Sequence, residues 1–215
     1  MNGHDFTLAG VRLTALPSGA LWIDQARALC VADLHLGKSD RMARRGGALL
    51  PPYETFATLD RLAEDIAATA PEQVICLGDS FDDLIAGVEL AEEARLRLMG
   101  LQAGRRWIWI EGNHDPGPVD IGGSHLAELA LAGLTFRHIA IPNAAAEVSG
   151  HYHPKAHLPG AGWRPAFLAD AQRVILPAYG TYTGGLRSDA AVLRALMQPP
   201  GQAILTGRRA LARPL

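Results

Sequence analysis

The sequence predicts a layered α/β fold with sheets in the middle and helices outside, and two observations carry that expectation. Short apolar runs of strand length alternate with stretches of helical spacing through the first half of the chain. Beyond Gly133 the chain is richer in strand-like runs and in Pro/Gly turns. With 215 residues and no repeat, low-complexity tract or long linker, residues 1–215 are expected to form one domain.

The strand candidates, in order, are Ala20–Ile23, Ala28–Ala32, Val74–Leu77, Trp107–Ile110, Thr135–Ile141, Ala146–Ser149, Val174–Leu176 and Ala203–Leu205. Between the second and third, Phe56, Leu59, Leu62, Ala63 and Ile66 recur on one face of a helix that Pro51-Pro52 could open. Leu90, Ala94, Leu98 and Leu101 trace a second helix, with Gly104 as its stop. Shorter helices are expected over Ser124–Leu131 and Asp189–Met197, and the basic end, GRRALARPL, as a loose tail.

Composition narrows the class. With 48% apolar and 20% charged residues the chain is of the soluble globular type, and a net charge of −2 neither requires nor excludes a polyanionic partner. Cys30 and Cys76 each sit inside an apolar run and read as reduced core thiols. The N-terminus lacks the pattern of a signal peptide and no window is apolar enough for a membrane span, so the expected location is the cytoplasm, away from membranes.

The chemistry gathers where apolar runs end. Ala28–Ala32 runs into Asp33-Leu34-His35, Val74–Leu77 into Gly78-Asp79, Trp107–Ile110 into Glu111-Gly112-Asn113-His114-Asp115, and Ala146–Ser149 into Gly150-His151-Tyr152-His153. Strand ends in layered α/β folds are where loops converge on ligands. Residues two apart in extended chain point to one side, so Asp33 with His35, and His151 with His153, can each act as a two-toothed clamp on a metal ion. Gly78, Gly112 and Gly150 allow a sharp turn or close approach just before a ligand. One such element is a weak signal; four in order are a strong one.

In that order, DLH, GDSFDD, GNHD, the lone strand histidine His138 and GHYH resemble the motifs of the calcineurin-like metallophosphoesterases. The resemblance implies a four-layer α-β-β-α sandwich of two mixed sheets flanked by helices. It implies that Asp33, His35 and His153 bind one metal, that Asp79 bridges to a second, and that Asn113, His138 and His151 complete the second site. Asn113 would also touch the substrate. The donor set, carboxylate and imidazole without thiolate, suits Mn²⁺ first, with Fe or Zn²⁺ as alternatives. Two such ions would share a bridging hydroxide as nucleophile in an in-line displacement.

The resemblance places His114 beside the leaving group, where an imidazole can serve as general acid, with Asp115 orienting its ring. Asp82 and Asp83 stay open between a solvated turn or helix cap and a supporting role behind the ligands.

The run DLHLGKSDRMARRGGALLPPYET and the segment VILPAYGTYTGGL resemble a narrower bacterial group, the ligase-associated DNA damage response endonucleases. That implies DNA as substrate, in repair, beside a DNA ligase, an exonuclease and a helicase. If the first run is helical, Lys38, Arg41 and Arg45 share a face and form a cationic strip that could hold a nucleic-acid backbone. Two other readings remain: a nucleotidase or dinucleotide phosphatase with a closed pocket, and a non-catalytic interaction subunit. The second would be expected to have lost ligands that this chain keeps.

Overall fold

A computed structural model describes residues 2–47 and 50–215. Its first sheet runs β1 (His4–Leu8), β2 (Val11–Ala15), β3 (Leu21–Ile23), β4 (Ala28–Val31), β5 (Gln73–Leu77), β6 (Arg106–Ile110) and β7 (Ser124–Leu126) in spatial order. β1 to β4 pair antiparallel and β4 to β7 parallel. Helices α1 (Lys38–Arg44) and α2 (Glu54–Thr69) connect β4 to β5, and α3 (Leu84–Val88) and α4 (Glu92–Gln102) connect β5 to β6.

The second sheet contains β8 (Glu128–Leu131), β9 (Leu134–Arg137), β10 (Glu147–Ser149), β11 (Lys155–Leu158), β12 (Gly162–Ala169), β13 (Arg173–Ile175), β14 (Gln202–Leu205) and β15 (Leu211–Pro214), with helix α5 (Ala191–Leu196) before β14. Its order is β15-β14-β12-β13-β10-β9-β8, and β11 pairs with β12. Parallel pairing is confined to its centre, β9-β10-β13. Both sheets are therefore mixed.

Alternation within the strands builds the layers. Cys30, Ile75, Leu77, Ile108 and Ile110 of the first sheet meet Phe136, Val148, Val174, Phe167 and Ile204 of the second in one buried cluster. Their sequence neighbours Leu29, Val31, Val74, Cys76, Trp107 and Trp109 point the other way, onto Leu59, Leu62 and Ile66 of α2 and Ala94 and Leu98 of α4. Leu168, Ile175 and Leu205 form a third cluster with Leu193 and Leu196 of α5. A strand buried on both faces reads as a continuous apolar run, which is why β4, β5 and β6 stand out in the sequence. Cys30 and Cys76 face opposite sides of their sheet and are free thiols. No helix among the described residues is long and apolar enough to cross a membrane.

Several expectations need correcting. Residues Ser124–Leu131 form not a helix but strands β7 and β8. Leu129 pairs with Phe136, and the Ala132-Gly133 turn has both residues left-handed, at φ 54° and 82°, the geometry of a tight hairpin. Leu126, Leu129 and Ala130 fit helical spacing too, and sheet pairing wins. The strand expected over Thr135–Ile141 ends at Arg137, leaving His138 free to turn into the site. The C-terminal end is not loose: β15 pairs with β14, Leu211 opposite Leu205.

Candidate metal centre

The loops after β4 and β5 are zipped together by their backbones. The Asp33 N–H donates to Gly78 O (3.2 Å), His35 to Asp79 O (2.9 Å), Leu36 to Ser80 O (2.9 Å) and Asp82 to Leu36 O (3.0 Å). A β-carbon on Gly78 would fall on His138 Nδ1, and one on Gly112 on the Asp79 amide, so only glycine admits these approaches. Asp33, His35, Asp79, His151 and His153 all have φ between 45° and 68°. Non-glycine residues rarely sit there, and strain of this kind concentrates where function demands a side-chain direction that regular structure cannot supply.

The side chains so aimed form two adjacent trios. Asp33, His35 and His153 offer one ligand atom each, all within 4.8 Å of one another, and Asp79, His138 and His151 do the same. His35 Nε2 lies 3.4 Å from His153 Nε2, and His153 Nε2 3.2 Å from Asp33 Oδ1. His138 Nε2 lies 3.4 Å from Asp79 Oδ2, 3.2 Å from His151 Nδ1 and 3.0 Å from Asn113 Oδ1.

Tautomers follow from partners that can only accept. His138 Nδ1–H donates to Leu77 O (2.9 Å), and His35 Nδ1 faces Asp82 Oδ1 as an ion-pair contact at 2.9 Å. Each ring thus turns Nε2 inward, the nitrogen that a metal-binding imidazole would offer once any proton on it is displaced. Facing lone pairs and carboxylates repel one another without a cation, so the donor set fits divalent metal.

Ionisation carries the same signature. Burial works to raise Asp79, but the hydrogen bond from His138, that ring's charge and the His114 N–H hold it down to about 2. Burial works to lower His138, yet its bond to Asp79 and the charges of Asp33 and Asp79 raise it to about 8. In the absence of metal, a proton on His138 neutralises charge that an ion would otherwise balance.

His114 stands outside both trios, its ring 5.2 Å from that of His35 and its Nδ1–H donating to Asp82 O (2.9 Å). Asp115 does not orient that ring, contrary to expectation. Its buried carboxylate instead accepts from the amides of Asp79 (2.9 Å), Ser80 (2.7 Å), Phe81 (3.1 Å) and Gly112 (3.0 Å), pinning the loop that carries Asp79 to the loop that carries Asn113. Burial and the charge of Asp79 push it up to about 6, against those donors.

The expected cationic strip also needs correcting. Residues 38–44 are helical, but the shared face of Lys38 and Arg41 turns inward, onto Asp82. Lys38 Nζ lies 3.5 Å from Asp82 Oδ1, and Arg41 Nε bonds Asp82 Oδ2. Their side chains are only 19% and 17% exposed, whereas Arg45, 3.7 Å from Asp83, is 65% exposed. Asp82, fully buried, is the residue whose importance the sequence left undecided: it joins His35, His114, Lys38 and Arg41. Burial acts to raise it, but His35, Lys38 and Arg41 hold it well below the usual carboxylate range. Asp83 caps α3, accepting from the Ala86 N–H at 2.7 Å.

Two mixed sheets that present paired carboxylate–imidazole sites at their loop ends define a metal-dependent phosphoester hydrolase. The model of the calcineurin-like phosphoesterase family matches residues 26–181, and the chain belongs to that family, whose members use a dinuclear divalent metal centre. No curated protein is matched. Among solved structures, a nuclease of Pseudomonas putida, MPE, is similar at 28% identity, with a TM-score of 0.75 over 99% of this chain and 100% of that one.

Proposed function

We propose that this protein is a phosphodiesterase that cleaves DNA, its two sites filled by Mn²⁺. The observation that carries the proposal is the pair of adjacent trios with His114 beside them but in neither. Asp33, His35 and His153 would hold one ion, Asn113, His138 and His151 the other, with Asp79 between them. Bound there, two divalent ions supply Lewis acidity toward a phosphate and an activated water.

What the chain itself adds is a proton. Because His114 Nδ1–H stays on the Asp82 carbonyl, Nε2 is the nitrogen left to protonate a departing alkoxide. The choice of nucleic acid rests on the full-length similarity to a protein described as a nuclease, and the repair role implied by the sequence resemblance belongs to the same proposal. The Mn²⁺-loaded protein, assayed on bis-p-nitrophenyl phosphate, p-nitrophenyl phosphate, single-stranded DNA and duplex DNA, should cleave the diester and at least one DNA. Hydrolysis of the monoester alone would contradict the proposal in favour of a nucleotidase.

A further inference from the structure

On the Asn113–His138 flank of the centre lies a preformed pocket of about 390 Å³, walled by Ile139 and Ile141; His35, Asp82 and His114 do not line it. These isoleucines are 43% and 49% exposed. Single exposed apolar residues are ordinary. What sets Ile141 apart is how it is held: its N–H donates to Glu147 Oε1 (2.9 Å) and its C=O accepts from Arg173 Nη1 (3.2 Å). Glu147 and Arg173 are at most 1% exposed and pair at 3.0 Å. Burying such a pair carries a desolvation cost of several kcal/mol per ion. Here the pair fixes the backbone of a residue whose side chain faces water.

Charge narrows the occupant. Arg137 is the single Arg or Lys among the described residues lining the pocket, and it is committed to Glu128 (3.1 Å) and Glu147 (3.5 Å). Glu111 and Glu128 add acceptors at the rim. Such a pocket disfavours a further phosphate and suits a flat, uncharged ring bearing N–H donors. We propose that it is a subsite for a nucleobase, on the ester substituent that remains attached to phosphorus while the leaving group departs toward His114. The assignment rests on the phosphodiesterase reading above.

Two diesters with the same leaving group test it: thymidine 5′-(p-nitrophenyl) phosphate and methyl p-nitrophenyl phosphate, compared by kcat/KM on the Mn²⁺-loaded protein. The wild type should prefer the thymidine ester about ten-fold, the effect of covering roughly 60 Å² of apolar surface. The double variant Ile139→Ser/Ile141→Ser should bring that ratio close to one through the thymidine ester alone, while Ile141→Leu, which keeps the wall apolar, should retain the preference. A wild-type ratio near one, an unchanged ratio in the double variant, or equal loss on both esters would overturn the subsite. Failure of the wild type to hydrolyse any diester would instead overturn the phosphodiesterase reading, and the subsite with it.

Discussion

Replacing Asp82 with Asn tests whether this buried carboxylate holds the centre together. The substitution keeps shape and an oxygen facing His35 Nδ1, but it turns an NH₂ group toward Arg41 and removes the charge facing His35 and Lys38. Hydrogen bonds to charged groups contribute about 1.5–3 kcal/mol each. Lys38 and Arg41 keep a path to water, so roughly half of the two lost interactions is recovered by solvation, leaving a cost of about 2 kcal/mol. For a chain of this length that lowers Tm by about 4–8 °C. Replacing the carboxylate beside a ligating imidazole with a neutral amide should also weaken metal affinity or turnover about 10–100-fold. Thermal unfolding of the metal-free variant, metal titration and hydrolysis of bis-p-nitrophenyl phosphate measure the three effects. A variant that melts and takes up metal like the wild type would refute the role assigned to Asp82.

Other consequences can be checked separately. His114→Ala should retain both metals yet lose far more rate on substrates with poor leaving groups than on nitrophenyl esters; equal losses would remove the general-acid role. The raised His138 favours the metal-free fold most below its unfolded value near 6.5, and that contribution, about 1–2 kcal/mol, should fade as pH rises through about 8. Metal must displace the same proton, so titration calorimetry in buffers of different ionisation enthalpy should show proton release below pH 8 and tighter binding as pH rises. Because Lys38 and Arg41 hold Asp82, alanine at either should slow even a small diester several-fold. Arg45→Ala should spare it and flatten only the salt dependence of DNA binding, by about 0.9 in logarithmic slope, with unchanged slope as the contrary result.

Much of the molecule is legible in its sequence because the informative patterns are local. β4, β5 and β6 announce themselves as doubly buried apolar runs, and each ends in a motif that the fold carries to one place. The hairpin β1–β2 escapes notice because its alternation is partial and its turn is Ala9-Gly10 rather than a strong turn pair. Ser124–Leu131 misleads because its apolar spacing also suits a helix, and only the pairing of β7 with β6 and of β8 with β9 decides. The inward turn of Lys38 and Arg41 depends on a carboxylate more than 40 residues away in sequence. Asp115 misleads in a related way: adjacency to His114 suggests contact, while its side chain points beneath the loop to four amides. Periodicity states which residues share a face; it does not state what that face meets.

The central claim is that the two trios form two metal sites with Asp79 between them. Diffraction from crystals grown with Mn²⁺, recorded near the manganese absorption edge, locates the ions directly. Two anomalous peaks should appear, one among Asp33, His35 and His153 and the other among Asn113, His138 and His151, with Asp79 reaching both. A single ion, or one held instead by the third possible trio, His35, Asp82 and His114, would contradict the account.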